Sequence, residues 1–483
     1  MTFPARPGVD TGRFAVAGAA VLAGAAVAGL AATGLDPLLL IAAAAALAGA
    51  ALMVLDERWA VASLAGFVVL HIPKVATDYH GAPSLFAPLA GAILLGIAAR
   101  WLLTGVRPPQ VAAIAVVVAA YVLVAAGSLL FADMPVDLGD TTALVKDAAV
   151  AVLAGLLVSR ASTLRVAIWA MVGSGAFLAA VSVVQFLTGS FDSAFAGFGQ
   201  SSIENIVGTY DDVRISGPIG DPNFYGQLLV SVLPLALNRM WAEPTLRLRL
   251  VGAGAAALIA AATVFTFSRG AAVALGAVAI IMLVIHRPSL RSVAAVAVCG
   301  VLAIPILPQG YLDRLLTLGE VGTVEGSTDA SIRGRTAELT AGWLMFGDRP
   351  LTGVGFGLYE DHYQEYVAGL GIELRSEARE AHSFVLEVAA ETGLLGLAAM
   401  GAVVGGAVLG LRRARRRSQA DGREDLAQIS AALLASITGF LITSLFLHHD
   451  FSRIFWLLMG LSYAVAWLAT REPATAAVEE AAR

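Results

Sequence analysis

Apolar runs of membrane-spanning length recur almost without interruption along this chain. They fall near residues 14–34, 37–55, 59–72, 84–103, 110–131, 142–158, 164–188, 221–241, 248–267, 270–286, 292–307, 383–411, 427–447 and 454–470. Most approach the ~20 residues an α-helix needs to cross hydrocarbon. A bilayer core offers no partner to backbone N–H and C=O groups, so such runs fold as packed helices. With 58% hydrophobic and 14% charged residues, the 483-residue chain falls in the membrane class and outside the nucleic-acid-binding one. The expected fold is all-α and polytopic, with about 12–14 transmembrane helices. The third run is short and the tenth directly follows the ninth, which leaves the count open.

The expected organisation is spans over 1–307, an extracytoplasmic loop over 308–382, further spans over 383–471, and a disordered cytoplasmic tail over 472–483. Arg6 and Arg13 before the first run imitate a secretory signal, but its length favours a retained helix. Cys299 stands alone in an apolar run and is read as a small core residue. With both termini cytoplasmic, the inner connections hold Arg58, Arg100, Arg160, Arg165, Arg239, Arg287 and the run Arg412 to Arg417, as the positive-inside rule requires. Asp78, Asp133, Asp137, Asp140, Asp192, Asp211, Asp212 and the long loop then face outward. Trp59, Trp101, Trp241 and Trp467 sit near predicted helix ends, as interfacial anchors do.

This orientation brings scattered polar motifs to one face. Arg269, in Ser268-Arg269-Gly270, lies between two apolar runs; it either snorkels or meets an anion beside small residues. Arg214 precedes Gly220-Asp221-Pro222-Asn223, an ordinary helix start. Its fork suits bidentate phosphate binding, and an ion pair with Asp211 or Asp212 competes. In the loop, Arg333-Gly334-Arg335 leads into an amphipathic stretch, Thr336 to Met345, expected to lie on the membrane or over a cavity. The glycines of Thr352-Gly353-Val354-Gly355 read as a surface turn, since no βαβ unit surrounds them. His382 stands where the loop re-enters the membrane; an isolated His is usually structural, but an imidazole suits a general base near neutrality. Glu387 and Glu391 share one helical face beyond it, and His448-His449-Asp450-Phe451-Ser452-Arg453 forms a turn on the same side. Asp211-Asp212 and Asp361-His362 are weak metal signals, with no converging ligand set.

In this order the pieces resemble the O-antigen ligase and polymerase superfamily of bacterial envelope glycosyltransferases. The resemblance rests on Arg214 with Gly-Asp-Pro-Asn, Ser268-Arg269-Gly270, the loop from Arg333, Arg349-Pro350-Leu351-Thr352-Gly353-Val354-Gly355, His382-Ser383, Leu386-Glu387 and Glu391-Thr392-Gly393-Leu394-Leu395-Gly396. It covers mainly residues 205–460. It implies a GT-C-like fold in the bacterial inner membrane, with an outer-face cavity that binds a polyprenyl-diphosphate-linked glycan. Transfer to a glycan or glycolipid acceptor hydroxyl is expected to need no metal or other cofactor. His382 would serve as base, and Arg214, Arg269 and Arg333, with Arg335 as alternate, would hold the diphosphate. Glu387 or Asp450 would orient the imidazole, with Glu391 and Arg453 in support. The partners are the lipid-linked donor, the acceptor and membrane lipid.

Other readings remain open from sequence: a repeat-unit polymerase, a protein O-oligosaccharyltransferase, or a transporter whose pathway holds Gln185, Lys146 and the intramembrane carboxylates. Sugar identity, acceptor and oligomeric state are not legible.

Overall fold

A computed structural model describes residues 56–105, 109, 111–207, 210–287, 330–368, 379–448 and 452–471, without the side chains of 103–104, 203–207, 210–212 and 330–333. The first two apolar runs, the run holding Cys299, the loop parts 308–329 and 369–378, Asp450 and the tail lie outside the described residues, as does the Arg333 side chain. Fourteen helices and one hairpin are present among the described residues. Each apolar run found there is helical. Seven helices are long and apolar enough to cross a membrane, or eight if one bent pair counts as a span.

The bent pair explains the short third run. Helix α1 (Glu57–Val69) gives way to α2 (Ile72–Lys74) at a 65° angle. Between them His71 adopts a left-handed conformation, φ 52°. A π-turn, Val75–Tyr79, follows. Then come α3 (Phe86–Thr104), α4 (Ala112–Ser128), α5 (Gly139–Leu157) and α6 (Ala161–Thr188). An antiparallel hairpin, β1 (Gln200–Val207) with β2 (Tyr210–Gly217), interrupts the helices where the sequence suggested only a loop. Helices α7 (Pro222–Ala242), α8 (Leu246–Phe265) and α9 (Arg269–His286) precede the loop helices α10 (Ala330–Asp348) and α11 (Tyr359–Val367). Finally α12 (Phe384–Ala420), α13 (Glu424–Ser444) and α14 (Arg453–Thr470) complete the bundle.

The core is built where α7, α13 and α14 are buried on nearly all sides. Trp456 is fully buried against Tyr121, their ring centroids 6.1 Å apart. Small residues permit the closest approaches: a Cβ on Gly460 would lie 2.4 Å from the Ala151 carbonyl oxygen, so α14 and α5 touch backbone to backbone.

The two ends of the bundle differ. At the end away from the loop, Arg239 is fully buried and bonds Glu243 (3.0 Å) and Asp425 (3.0 Å), while Arg165 also pairs with Glu243. Glu57 there accepts from Arg100 (2.6 Å) and Thr163 (2.7 Å). The four tryptophans named above and the Arg412–Arg417 run share this end. Gln185 is buried and donates to the carbonyls of Ser193 and Gly199, and Lys146 is exposed.

Candidate active site

At the opposite end the hairpin presents Arg214. Both faces of β2 are covered at this point, Ile215 and Ser216 being buried too, and Arg214 is 2% exposed. Its Nε donates to the Thr266 carbonyl (2.9 Å) and an Nη donates to Asn223 Oδ1 (2.9 Å). Asn223 is held because Asp221 caps α7, accepting from the Asn223 and Phe224 amides at 2.7 and 3.0 Å, behind Pro222. The Asp211 and Asp212 side chains, the competing partners expected from sequence, lie outside the described residues.

Thr266 opens the reversal between α8 and α9. Phe267 is left-handed, φ 50°, and Ser268 Oγ accepts from the Ala271 amide at 3.4 Å. The reversal stands Arg269 in the first turn of an 18-residue helix, three residues past the carbonyl that Arg214 binds. Arg269 is half-buried and has no ion-pair or hydrogen-bond partner among the described residues. Two guanidinium groups and a helix N-terminus therefore share one locality, the electrostatics of an anion site.

His382 is also left-handed, φ 44°. Such a backbone costs a non-glycine residue free energy and survives only where the surroundings impose it. Its Nδ1 lies 3.2 Å from the Glu380 carbonyl oxygen and 3.2 Å from the Glu338 carboxylate. Glu338, on α10 and 1% exposed, also accepts from Arg379 at 2.7 Å. Burial opposes charging of His382, and the Glu338 carboxylate outweighs it, so the imidazole titrates above its usual range; Arg335 is near enough to oppose this. Burial likewise works against the Glu338 carboxylate, and His382 and Arg379 hold it below its usual range. Nε2 of His382 has no hydrogen-bond partner among the described residues.

The His382 ring meets His448 edge-on at 5.8 Å, and His448 meets Phe224 at 4.7 Å. His448 pairs through Nδ1 with the Glu380 side chain. Phe224 is the next residue after Asn223, so this chain of contacts joins the imidazole to the Arg214 locality. Arg214, Arg269, Arg335 and His382 are thus brought to one end of the bundle, with Arg335 near the imidazole.

The carboxylate beside His382 is Glu338, which was not among the sequence candidates, rather than Glu387. Glu387 sits buried on α12, while Asp450 lies outside the described residues. Glu338 was hidden because it lies on a loop helix, in a pattern that reads as a solvated charge. Asn223, Arg379, Glu380 and His448 were also missed as contacts; only the Glu-Ala-His spacing around His382 offered a hint.

Glu391 has a different environment from the one its position suggested. Helix α12 breaks at Gly393 (φ 63°), and segment 350–357 inserts there. Val354 and Gly355 amides donate to the Ala390 and Glu391 carbonyls at 2.9 and 3.0 Å, and the Leu394 amide donates to the Pro350 carbonyl at 2.8 Å. The Glu391 side chain accepts from the Tyr359 amide (3.3 Å) at the start of α11. The glycine segment is therefore a clasp in the helix, not a surface turn. Arg349 closes its other side on the Phe131 carbonyl (2.7 Å) and Asp133 (2.5 Å). Arg453 donates to Asp147 at 2.6 Å. No group of three or more His, Cys, Asp or Glu residues suited to a metal occurs among the described residues.

Residues 254–401 match the family model described as O-antigen ligase. A comparison with curated proteins finds no match. The matched segment holds Arg269, Glu338, the clasp and His382, and within the described bundle seven helices are apolar and long enough to span a membrane. The chain is thus an integral membrane protein whose residues 254–401 are similar to the O-antigen ligase family.

Proposed function

We propose that the chain transfers a glycan from a polyprenyl-diphosphate donor to an acceptor hydroxyl, at the end of the bundle where His382 and the arginines meet. The observation that carries this reading is His382, whose Nδ1 lies 3.2 Å from both the Glu380 carbonyl oxygen and the Glu338 carboxylate and whose Nε2 has no described partner. A proton held on Nδ1 by the Glu380 carbonyl beside that carboxylate leaves the Nε2 lone pair available, the tautomer a general base needs.

The acceptor oxygen attacks the anomeric carbon while its proton passes to Nε2. The bond from that carbon to the diphosphate breaks, and the electron pair departs with the polyprenyl diphosphate. Charge growing on the leaving group is met by Arg269, by Arg214 and by the α9 N-terminus in a site shielded from bulk water. Arg333 and Arg335 on α10 stand on the loop side, where they would close over the phosphates. The membrane holds the lipid tail, and the glycan extends toward the loop. Arg412–Arg417 at the far end, read by the positive-inside rule, supports an active end on the outer face of the bacterial inner membrane.

The test uses full-length protein in lipid nanodiscs, a labelled polyprenyl-diphosphate glycan and membrane extract as acceptor. Transfer is expected to fall about 10²–10⁴-fold in His382→Ala. Unaltered transfer in both His382→Ala and Arg269→Ala would refute the reading. Free full-length polymer accumulating in cells lacking the gene indicates a ligase, and single-repeat products indicate a polymerase.

A further inference from the structure

The break between α1 and α2 opens a cavity of about 320 Å³, bounded also by α5, α7 and α14. This volume lies at the lower end of the range for small-ligand sites, roughly 300–1,000 Å³. Two unusual backbone features frame it: the left-handed His71 and the π-turn Val75–Tyr79. Strained residues and π-turns persist where the surrounding structure imposes them, and they concentrate at functional sites. We propose that this cavity binds a neutral saccharide ring of the acceptor, a role that rests on the transfer reaction proposed above.

The lining decides the ligand class. Among the described lining residues two carboxylates, Asp78 and Asp147, face two bases, Lys74 and Arg453. Each carboxylate is engaged: Asp147 accepts from Arg453 at 2.6 Å, and Asp78 accepts from the Thr77 hydroxyl at 2.6 Å. An anionic ligand would meet both carboxylates and a cationic one both bases, so the balance disfavours either. A sugar hydroxyl donates and accepts at once, and an interleaved set of donors and acceptors serves it. The Phe224 ring supplies an apolar wall for the C–H face of a pyranose.

Position supports the acceptor assignment. Phe224 belongs both to the cavity and to the ring stack that continues through His448 to His382. A sugar in the cavity would therefore lie on the far side of two rings from the proposed base, with the next unit of the acceptor directed toward it. The described lining residues all fall outside 254–401, the segment that matches the family model. Base and Arg269 thus come from the matched segment, whereas the cavity comes from the remainder of the chain, where preference for a particular acceptor would reside.

The experiment is saturation-transfer NMR on full-length protein in nanodiscs. The probes are methyl glycosides of glucose, galactose, mannose and N-acetylglucosamine, with methyl glucuronide as the charged comparison and inorganic pyrophosphate for the arginine site. At least one neutral glycoside is expected to bind, and the Thr77→Val/Asp78→Leu double variant to weaken it at least about tenfold. Lys74→Met, a change at the exposed rim with little bearing on folding, should weaken it less, and Arg269→Ala should leave it unchanged while weakening pyrophosphate. Thermal melting of each variant reports whether it remains folded. Absence of neutral-glycoside binding, preference for glucuronide, or glycoside binding indifferent to both cavity variants would overturn the proposal. If the glycoside follows Asp78 while pyrophosphate ignores Arg269, the donor reading fails and the saccharide site stands.

Discussion

The Nδ1 atom of His382 lies 3.2 Å from the carboxylate of Glu338, which reaches it from α10 in the loop that folds back over the bundle. The contact couples two functions. It sets the tautomer of the proposed base, and it fastens the loop helix to the mouth of the site. Arg379 on the same carboxylate, at 2.7 Å, keeps Glu338 ionised.

The pH dependence of transfer follows from that contact. His382 must be neutral to accept a proton, and Glu338 raises its pKa, so kcat/KM is expected to climb with pH through an apparent pKa above the usual imidazole value of about 6.5. Glu338→Gln removes the raising charge. The ascending limb should move to lower pH while the maximal rate falls, by less than in His382→Ala. A limb that stays in place would show that another group titrates.

The same pair ties loop docking to pH. The raised pKa of His382 means that its charged contact is fully present below about 6.5 and is lost as pH rises through the folded value. The depressed pKa of Glu338 means that its contribution is present above about 4.3 and is lost as pH falls through its folded value. Amide exchange over 334–348 should accordingly be slowest between these limits, and Glu338→Gln should flatten the profile.

Arg214 and Arg269 are expected to separate experimentally. Arg214 joins the hairpin to Thr266 and Asn223, so Arg214→Ala should lower both the melting temperature and transfer. Lysine lacks the fork and reaches only one of the two acceptors, so Arg214→Lys should lose at least about tenfold in transfer. Arg269→Ala should lose transfer with little change in melting, since no described hydrogen bond or ion pair depends on that side chain.

The clasp at the α12 break is intolerant of side chains. A Cβ on Gly353 would lie 2.1 Å from the Glu391 carbonyl carbon, and Gly353 has φ 70°. Gly353→Ala should destabilise by more than the ~1–3 kcal/mol usual for overpacking, and free the loop to proteolysis. Gly347→Ala, with open space around the new Cβ, is the control expected to do neither.

At the far end, Arg239→Ala leaves Glu243 buried with one cation fewer. Breaking a buried pair costs about 3–5 kcal/mol. The lower end applies here, because Arg165 remains and Asp425 is 42% exposed. Thermal unfolding should show the loss, while transfer per folded molecule stays unchanged.

What the chain alone determined is its class. Hydrocarbon-length runs admit only helices, and the spacing of Arg and Asp set the expectation that Arg214, Arg269 and His382 share one face. A helix start such as Asp221-Pro222-Asn223 was legible because capping depends on neighbours in sequence. The hairpin was not, since its strands hold each other only across a turn. Nor could the partner of His382 be read: Glu338 reaches it only because α10 folds back over α12, and charge on a loop helix looks alike whether it faces water or an imidazole. The two glycine motifs showed their purpose only in the fold. Gly353 and Gly393 matter because two backbones pass at a distance that no side chain permits, and that distance exists only once segment 350–357 enters the break in α12.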